Sequence, residues 1–246
     1  MKTPCVKHFN RLKSTNTYVL DNFSELDMGD VVTTDIQTGG RGRFDRAWQG
    51  MASDNIYMSF VIKPENTDSF PFVNLTQYLS VVFNRILNKK YAIMSYIKWP
   101  NDILFEGKKL SGILAETKLN GNKLEGVVLG IGINVNNAPS EIVPNSISVS
   151  DILGRKVDKN ELMTLVINEF FKDFEKFEQD GFKYIFEEYS QMCKFKEEIK
   201  IGNSYKEGEF ENYKFERLNE DGTLMVSELG EKGCKEIKIV SGDILC

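Results

Sequence analysis

The chain has 246 residues and a formal net charge of −5, with 41% hydrophobic and 27% charged residues. This composition is typical of a globular protein with one large domain, or with one medium and one small domain. The acidic balance argues against a general nucleic-acid-binding protein, because neutralising phosphates needs a basic face. The sequence has no run of about 18 apolar residues, which excludes a transmembrane helix.

The N-terminal residues lack the apolar stretch of a secretion signal. The cysteines Cys5, Cys193, Cys234 and Cys246 are scattered and form no CxxC pair. We therefore expect neither a cysteine metal site nor a disulfide framework, and a reducing cytoplasm is the simplest setting. The only histidine, His8, lies outside every motif described below. A structural role is predicted for it, which argues against a hydrolase with a histidine base.

The N-terminal part of the chain is predicted to mix strands with two helices. Ser14, Thr15 and Asn16 offer side chains that cap a helix running to about Phe23. Apolar residues recur at helical spacing over 72–88 and predict an amphipathic helix. Runs of β-branched and apolar residues predict strands over 6–12, 31–37, 55–62 and 93–97.

A hairpin is predicted around Asn120-Gly121, between strands over 109–118 and 123–136, because this pair tolerates positive φ at both turn positions. Gly130 and Gly132 interrupt the second strand. Glycine weakens a strand interior, so these positions indicate a surface that a ligand approaches, or else close packing against another element.

The C-terminal part begins with a predicted loop over 137–145 and a short turn capped by Ser148. A capping box formed by Asp158 and Glu161 opens a helix to about Gln179. A further helix is predicted over 182–193, and residues 199–245 then alternate short strands with turns, as in a small β-barrel of roughly five strands. The turn signals are at 202–203, 207–208, 219–222, 230 and 241–243. Together these elements predict an α+β fold with domains at 1–194 and 195–246.

Three of the seven arginines fall within residues 39–48, among closely spaced glycines, whereas the chain has 24 lysines. Arginine offers a planar fork of donors for phosphate or carboxylate oxygens, and glycine lets backbone N–H groups approach a ligand. The segment predicts a mobile anion-binding loop, with a solvent-exposed basic turn as the alternative.

Three more motifs follow this loop: Lys98-Trp99-Pro100-Asn101-Asp102, then Lys108-Lys109-Leu110-Ser111-Gly112-Ile113-Leu114-Ala115-Glu116, then Gly130-Ile131-Gly132-Ile133-Asn134-Val135-Asn136. In order and spacing, the four motifs closely resemble those of the biotin protein ligases, and the resemblance covers residues 7 to 246. One departure is Asp45, where many members have a further glycine.

The resemblance implies a mixed-sheet catalytic domain of the class II synthetase/biotin–lipoate ligase type, followed by an SH3-like β-barrel. It also implies a reaction in which biotin is activated by ATP to biotinyl-5′-AMP, with Mg²⁺, and passed to a lysine of a biotin carboxyl carrier protein, such as that of acetyl-CoA carboxylase. Residues 195–246 carry 8 basic and 12 acidic side chains, which is a poor surface for DNA.

By the same resemblance, Lys109 lies between the biotin carboxylate and the α-phosphate, and Arg43 holds the phosphate. Asn101 orients phosphate or metal. Asp102 holds a loop arginine, binds Mg²⁺ through water or attracts the acceptor lysine, and these options stay open. The biotin-binding set is Ser14, Thr15, Asn16, Gln37, Gly40, Arg41, Gly42, Trp48, Lys109 and Gly112. The ATP-binding set is Arg41, Arg43, Lys98, Asn101, Lys109, Gly130, Gly132 and Asn134.

Two other functions are weighed against this one. A lipoate or octanoate ligase shares the fold but lacks the Arg41-Gly42-Arg43…Trp48 pattern. A biotin-sensing repressor carries a winged-helix domain before the catalytic pattern, which here begins by Val6. The expectation is therefore a monofunctional ligase with neither DNA nor a membrane as partner, and a homodimer is left open.

Overall fold

The computed structural model describes residues 4–202, 210–229 and 235–245, except the side chains of positions 45, 243 and 245. Within these residues, thirteen strands form two separate β-sheets. The first sheet is mixed, because its β1–β2 pair is parallel and its other pairs are antiparallel. Its order is β1-β2-β4-β8-β7-β6-β5, with β3 paired to β2. The strands are β1 Val6–Leu12, β2 Val31–Arg41, β3 Ala47–Gly50, β4 Ile56–Ile62, β5 Tyr96–Lys98, β6 Asp102–Phe105, β7 Lys108–Asn120 and β8 Lys123–Ile133.

Apolar side chains on alternate positions of β4 bury both faces of this sheet. Met58 and Phe60 belong to the larger core, whereas Val61 joins a smaller core under the first helix. Within the described residues, no helix has the length and apolarity to span a bilayer. The α-helices are α1 Thr15–Asp21, α2 Leu75–Tyr91, α3 Val149–Leu153, α4 Lys159–Lys172, α5 Phe174–Asp180 and α6 Phe186–Met192.

Two helix predictions need correction. The helix expected to run to about Gln179 ends at Lys172, and α5 starts a new segment after Asp173. The Asp158 side chain caps α4 by accepting from the N–H groups of residues 160 and 161, but the Glu161 carboxylate pairs with Lys90 of α2 instead of completing a capping box.

Two strand predictions also shift. The strand expected over 93–97 starts only at Tyr96, because Ala92 takes a left-handed conformation (φ 54°) and the Ile93 N–H still bonds to Leu87 O in the final turn of α2. The β7–β8 hairpin forms as predicted, but its loop residues are Gly121 and Asn122, one position later than the Asn-Gly pair. Only the glycine of that pair has a turn position, with φ of 59°.

The second sheet is antiparallel and has five strands in the order β12-β11-β10-β9-β13, as the sequence predicts for the SH3-like segment. The turn signals at 203, 207–208 and 230 lie outside the described residues. The turn at 219–222 is present and has Gly222 at φ 82°. The strands are β9 Glu198–Gly202, β10 Phe210–Leu218, β11 Leu224–Glu228, β12 Glu236–Ile239 and β13 Asp243–Leu245.

Polar contacts at the Gly222 carbonyl join this sheet to the first one. It accepts from Trp99 Nε1 and from Gln77 Nε2, each at 2.9 Å. Core residues of both sheets, such as Ile113 and Val226, belong to one continuous hydrophobic cluster. The two sheets therefore pack together, and the residue Trp99 of the second sequence motif lies at their junction.

Candidate active site

A cavity of about 240 Å³ lies where the β2–β3 hairpin covers the face of β7 and β8. It gathers side chains from all four sequence motifs, although these are far apart along the chain. The predicted residues that line it are Ser14, Thr15, Asn16, Gln37, Arg41, Gly42, Arg43, Trp48, Asn101, Asp102, Lys109, Gly112, Gly130, Gly132 and Asn134.

Two predicted residues do not line the cavity. Gly40 pairs with Trp48 between β2 and β3, and a Cβ at this position would come within 2.8 Å of Trp48 O. Its small size therefore serves the pairing of the hairpin. Lys98 lies on β5, paired with Asp102, and its side chain is not part of the cavity wall.

One end of the cavity is a network of buried hydroxyl and amide groups around the start of α1. Ser14 caps this helix through Thr17 N. Gln37 Oε1 accepts from Thr15 N at 2.8 Å and from the Thr15 hydroxyl at 3.1 Å. Ser59, which the sequence analysis did not identify, has contacts of 2.7 Å to Thr15 Oγ1 and 2.6 Å to Asn16 Oδ1. Ser59 lies opposite α1 because β4 pairs with β2 and β8, and no sequence motif predicts this position.

At the same end, Gly130 lies beside Asn16. A Cβ at position 130 would stand 2.2 Å from Asn16 Oδ1, so only glycine leaves room for the amide. Gly130 thus lies beside Asn16 of the predicted biotin-binding set, whereas the resemblance placed Gly130 in the ATP-binding set.

Lys109 and Asp102 form an ion pair with 2.8 Å between Nζ and Oδ1. A register shift between Ile103 and Leu104 in the β6–β7 pairing adds a residue to β7, which brings Lys109 and Gly112 to the same surface. A Cβ at position 112 would stand 3.3 Å from Lys109 Nζ. Lys108, the neighbour of Lys109 on the strand, is exposed.

Arg43 lies at the opposite side of the cavity and binds the second sheet. Its Nη1 donates to Gly242 O at 2.8 Å and to Asn101 Oδ1 at 3.4 Å, and its Nη2 donates to Ser241 Oγ at 3.0 Å. Asn101 is itself held by a 2.6 Å bond from Nδ2 to Ile113 O. The next loop residue, Phe44, has φ of 54°, which is a strained conformation for an aromatic side chain.

The support of the Asn101 turn comes from α6. Tyr189 donates its phenol hydrogen to Pro100 O at 3.2 Å. Burial is the main reason that the pKa of Tyr189 is raised well above its usual range, so this phenol stays a neutral donor.

Trp48 forms a wall of the cavity over two glycines. Its ring atoms would stand 2.3–2.6 Å from a Cβ at position 132, so Gly132 permits this contact. Lys109 Nζ is 5.4 Å from the ring centroid. The indole N–H is buried, and no atom of the described residues accepts a hydrogen bond from it.

Most of the residues that sequence reasoning missed are apolar. Most of them lie on strands, whose alternation predicts one inward face but not which face carries a cavity, and the others lie on the segment between β8 and α3. The additional lining residues are Ala47, Gln49, Met58, Ile113, Leu114, Ile131, Pro139, Val143 and Ser146. Arg46, the third arginine of the predicted anion-binding loop, also lines the cavity.

Solved biotin protein ligases have the same fold as this chain, with its mixed sheet and its small second sheet. One of them is a biotin protein ligase from Aquifex aeolicus in complex with biotin and ATP, which superposes on this chain with a TM-score of 0.80 and 27% sequence identity. The match covers 98% of this chain and 97% of the Aquifex chain. The model of the biotin/lipoate A/B protein ligase family matches residues 8–134. The chain belongs to this family.

Curated relatives match about two thirds of this chain. The bifunctional ligase/repressor BirA of Bacillus subtilis is 33% identical over 170 residues, which are 66% of this chain and 52% of the relative. The biotin–[acetyl-CoA-carboxylase] ligase of Paracoccus denitrificans is 31% identical over 163 residues, which are 63% of this chain and 67% of the relative. The chain thus spans about half the length of the ligase/repressor relatives that it matches.

Proposed function

We propose that this protein activates biotin with ATP and transfers it to a lysine of a biotin carboxyl carrier protein. One observation carries the proposal: a single cavity joins a lysine–carboxylate pair, Lys109 and Asp102, to a buried network of hydroxyl and amide groups. Relatives named as biotin ligases and a fold neighbour in complex with biotin and ATP support it.

The hydroxyl network favours a urea-like ligand. Three contacts link Gln37 Oε1, the Thr15 and Ser59 hydroxyls and Asn16 Oδ1, but the two hydroxyls have only two hydrogens to share. One acceptor therefore remains for a donor on the ligand. The ureido ring of biotin has two N–H donors, whereas the dithiolane ring of lipoate has none, so this end of the cavity supports biotin as the acid.

In the first step, a biotin carboxylate oxygen bonds to the α-phosphorus of ATP while the bond from that phosphorus to the bridging oxygen breaks and pyrophosphate leaves. Lys109, which lines the cavity, would neutralise the charge that accumulates between carboxylate and phosphate. Arg43 adds a second cation. The apolar walls, Met58, Ile131 and Trp48, suit the aliphatic tail of biotin.

In the second step, the acceptor lysine attacks the carbonyl carbon of the mixed anhydride. An amide bond forms, the amine loses a proton and AMP leaves with the electrons of the broken C–O bond. The β2–β3 hairpin over the cavity keeps water from the anhydride until the acceptor arrives.

Mg²⁺ fits this cavity as a companion of ATP. The described residues include no group of three or more His, Cys, Asp or Glu that could form a protein cage for a metal. Asp102 and Asn101 are the residues whose side-chain oxygens would hold Mg²⁺, directly or through water. The bound metal would offset phosphate charge.

The division into domains 1–194 and 195–246 is part of the proposal. Phe195 stacks on Phe215 of β10 with 4.2 Å between ring centroids, which ties the first residue of the second domain to its sheet. Both described cysteines are free thiols, in keeping with the proposed cytoplasmic setting.

The test is to mix the purified protein with biotin, Mg-ATP and a biotin carboxyl carrier domain and to record intact masses. A covalent biotin increment on the carrier is expected, together with biotin-dependent exchange between ATP and pyrophosphate. Lipoate in place of biotin serves as the matched control, and a carrier whose target lysine is replaced by arginine should stay unlabelled. A folded protein that modifies the carrier only with lipoate, or with neither acid, would disprove the assignment.

A further inference from the structure

Glu116 ends the third sequence motif, yet its side chain does not line the cavity. It lies behind the wall, and both of its carboxylate oxygens bind residues that do line it. Oε1 accepts from Arg41 Nη2 at 2.7 Å, and Oε2 accepts from Asn16 Nδ2 at 2.8 Å. The Glu116 side chain is 24% exposed, so water screens these bonds only in part.

These bonds determine the placement of Arg41. Its second branch, Nη1, donates to Thr17 Oγ1 at 3.0 Å. Because the guanidinium is a rigid planar fork, two bonds from different branches fix both its position and its plane. The carboxylate also balances its charge, so Arg41 acts here as an oriented donor group beside the hydroxyl network.

The same carboxylate determines which way the Asn16 amide faces. A carboxylate accepts only, so the Asn16 NH₂ group must point to Glu116, and Oδ1 must point to Ser59. The amide has no room to move away, because Gly130 already touches it closely. Asn16 Oδ1 is thereby kept as an acceptor on the cavity side.

We propose that Glu116 is a positioning residue for biotin, which fixes Arg41 and the Asn16 amide so that the ureido end of the cavity is preformed. This inference rests on the proposed function. Glu116 touches neither substrate, and its effect reaches biotin only through these two side chains.

The decisive variant is Glu116→Gln, which keeps the shape of the side chain but replaces one acceptor oxygen by a donor NH₂ group. Whichever way the new amide turns, it faces a donor, either Arg41 or Asn16. Losing one charge-assisted bond in a partly buried site predicts a roughly 10-fold rise in the Kd and KM for biotin. The KM for ATP and the kcat of ATP–pyrophosphate exchange should stay near the wild-type values.

Two further variants sharpen the test. Glu125→Gln is the matched control, because Glu125 is an exposed glutamate of the same hairpin, bonded only to Asn120 at its far end among the described contacts. Glu116→Asp keeps both acceptor oxygens on a shorter chain and should recover part of the biotin affinity. In an Arg41→Lys background, which cannot form the fork, the effect of Glu116→Gln should shrink.

The outcomes separate the inference from the function on which it rests. If wild type shows no biotin binding by calorimetry and no biotin-dependent exchange, the proposed function fails. If wild type binds biotin and Glu116→Gln binds it equally well, the positioning role is wrong. If Glu116→Gln and Glu116→Asp both lower the biotin affinity, the ATP affinity and the melting temperature to the same extent as each other, the role of Glu116 is purely structural. That result would also overturn the positioning role.

Discussion

The ion pair of Lys109 and Asp102 is the most informative residue-scale feature of the cavity. The 2.8 Å contact keeps the ammonium group over the cavity while the Lys109 side chain remains about one-third exposed, at 36%. A ligand carboxylate or phosphate could therefore reach this cation without first uncovering it. Asp102, which the sequence left with three possible roles, here holds Lys109 in place, and the cavity leaves its other roles open.

The first prediction concerns Lys109→Ala. Adenylate formation should fall by a factor on the order of 10²–10³, because one preorganised cation is lost at the developing charge. Biotin binding should change much less, since the hydroxyl network is intact. Pyrophosphate exchange and calorimetry measure the two effects separately. Lys108→Ala is the matched control, because its exposed side chain points away from the cavity, and equal exchange rates in both variants would contradict the prediction.

The second prediction concerns Arg43→Ala. Arg43 links the hairpin to Ser241 and Gly242, so its loss should loosen the cover over the cavity and let the reactive anhydride escape. Free biotinyl-AMP would then label bystander proteins, which a streptavidin blot of added serum albumin measures. Arg11→Ala, at an exposed arginine of β1, should not raise this labelling. Equal bystander labelling at matched rates of adenylate synthesis would show that Arg43 does not retain the intermediate.

At the scale of elements, Arg85 joins helix α2 to α6 and to the residue between α4 and α5. Arg85 donates to both carboxylate oxygens of Glu188 on α6, at 2.5 and 2.6 Å, and approaches Asp173 at 3.5 Å. Its side chain is only 14% exposed. The bond to Glu188 is the first cause of the raised pKa of Arg85, which keeps this group charged throughout the accessible pH range.

The third prediction is that Arg85→Ala lowers the free energy of unfolding by about 2 kcal/mol, the range for charge-assisted bonds to a largely covered group. Lys90→Ala, which removes an exposed pair between Lys90 of the same helix and Glu161 of α4, should cost clearly less, because solvent screens this pair. Urea denaturation of both variants gives the comparison. Equal costs would mean that the Arg85 cluster contributes no more than a surface pair.

The fourth prediction concerns the 219–222 turn of the second sheet. Burial acts to raise the pKa of Asp221, but bonds from Lys238 and Thr223 outweigh it and lower the pKa to about 2. A carboxylate with a lowered folded-state pKa stabilises the fold above its unfolded pKa, and this contribution is lost as pH falls towards the folded value. The difference in free energy of unfolding between wild type and Asp221→Asn should therefore be largest at pH 6 and become smaller below about pH 4. Urea titrations at several pH values test this, and a difference that persists at pH 2 would contradict it.

Sequence reasoning predicted most elements and most of the cavity wall, and its failures have local physical causes. The helix after Asp158 divides at Asp173, and its continuity over 159–179 was overestimated because apolar residues recur on both sides of the break. Ser59 reaches the site through strand pairing, which no short motif encodes. Glu116 ends the third motif, but the motif gives no signal for its contacts with Arg41 and Asn16. Gly40 matched the motif, but its role in the β2–β3 pairing appears only when the hairpin is formed.

At the scale of the whole molecule, the second sheet is part of the site's surroundings. Gly222 accepts from Trp99 of the second motif, and Gly242 accepts from Arg43 of the first, so two turns of the small sheet touch two of the four motifs. The cover of the cavity and the docking of the two sheets are therefore coupled. The expectation that DNA is not a partner rests on charge and stays a prediction.

The chain has two tryptophans, one at the cavity and one at the junction between the two sheets. The Trp48 indole lines the cavity, and its N–H has no hydrogen-bond partner among the residues that the structure describes. Trp99 is buried at the junction of the sheets, and its N–H donates to Gly222 O. The fifth prediction is that each acts as a separate optical reporter. Biotin binding should change the tryptophan fluorescence of a Trp99→Phe variant, in which only Trp48 emits. The fluorescence of a Trp48→Phe variant should not respond to biotin, and its emission should shift to longer wavelength only when urea separates the sheets. A biotin response carried by Trp99 alone would reverse this assignment.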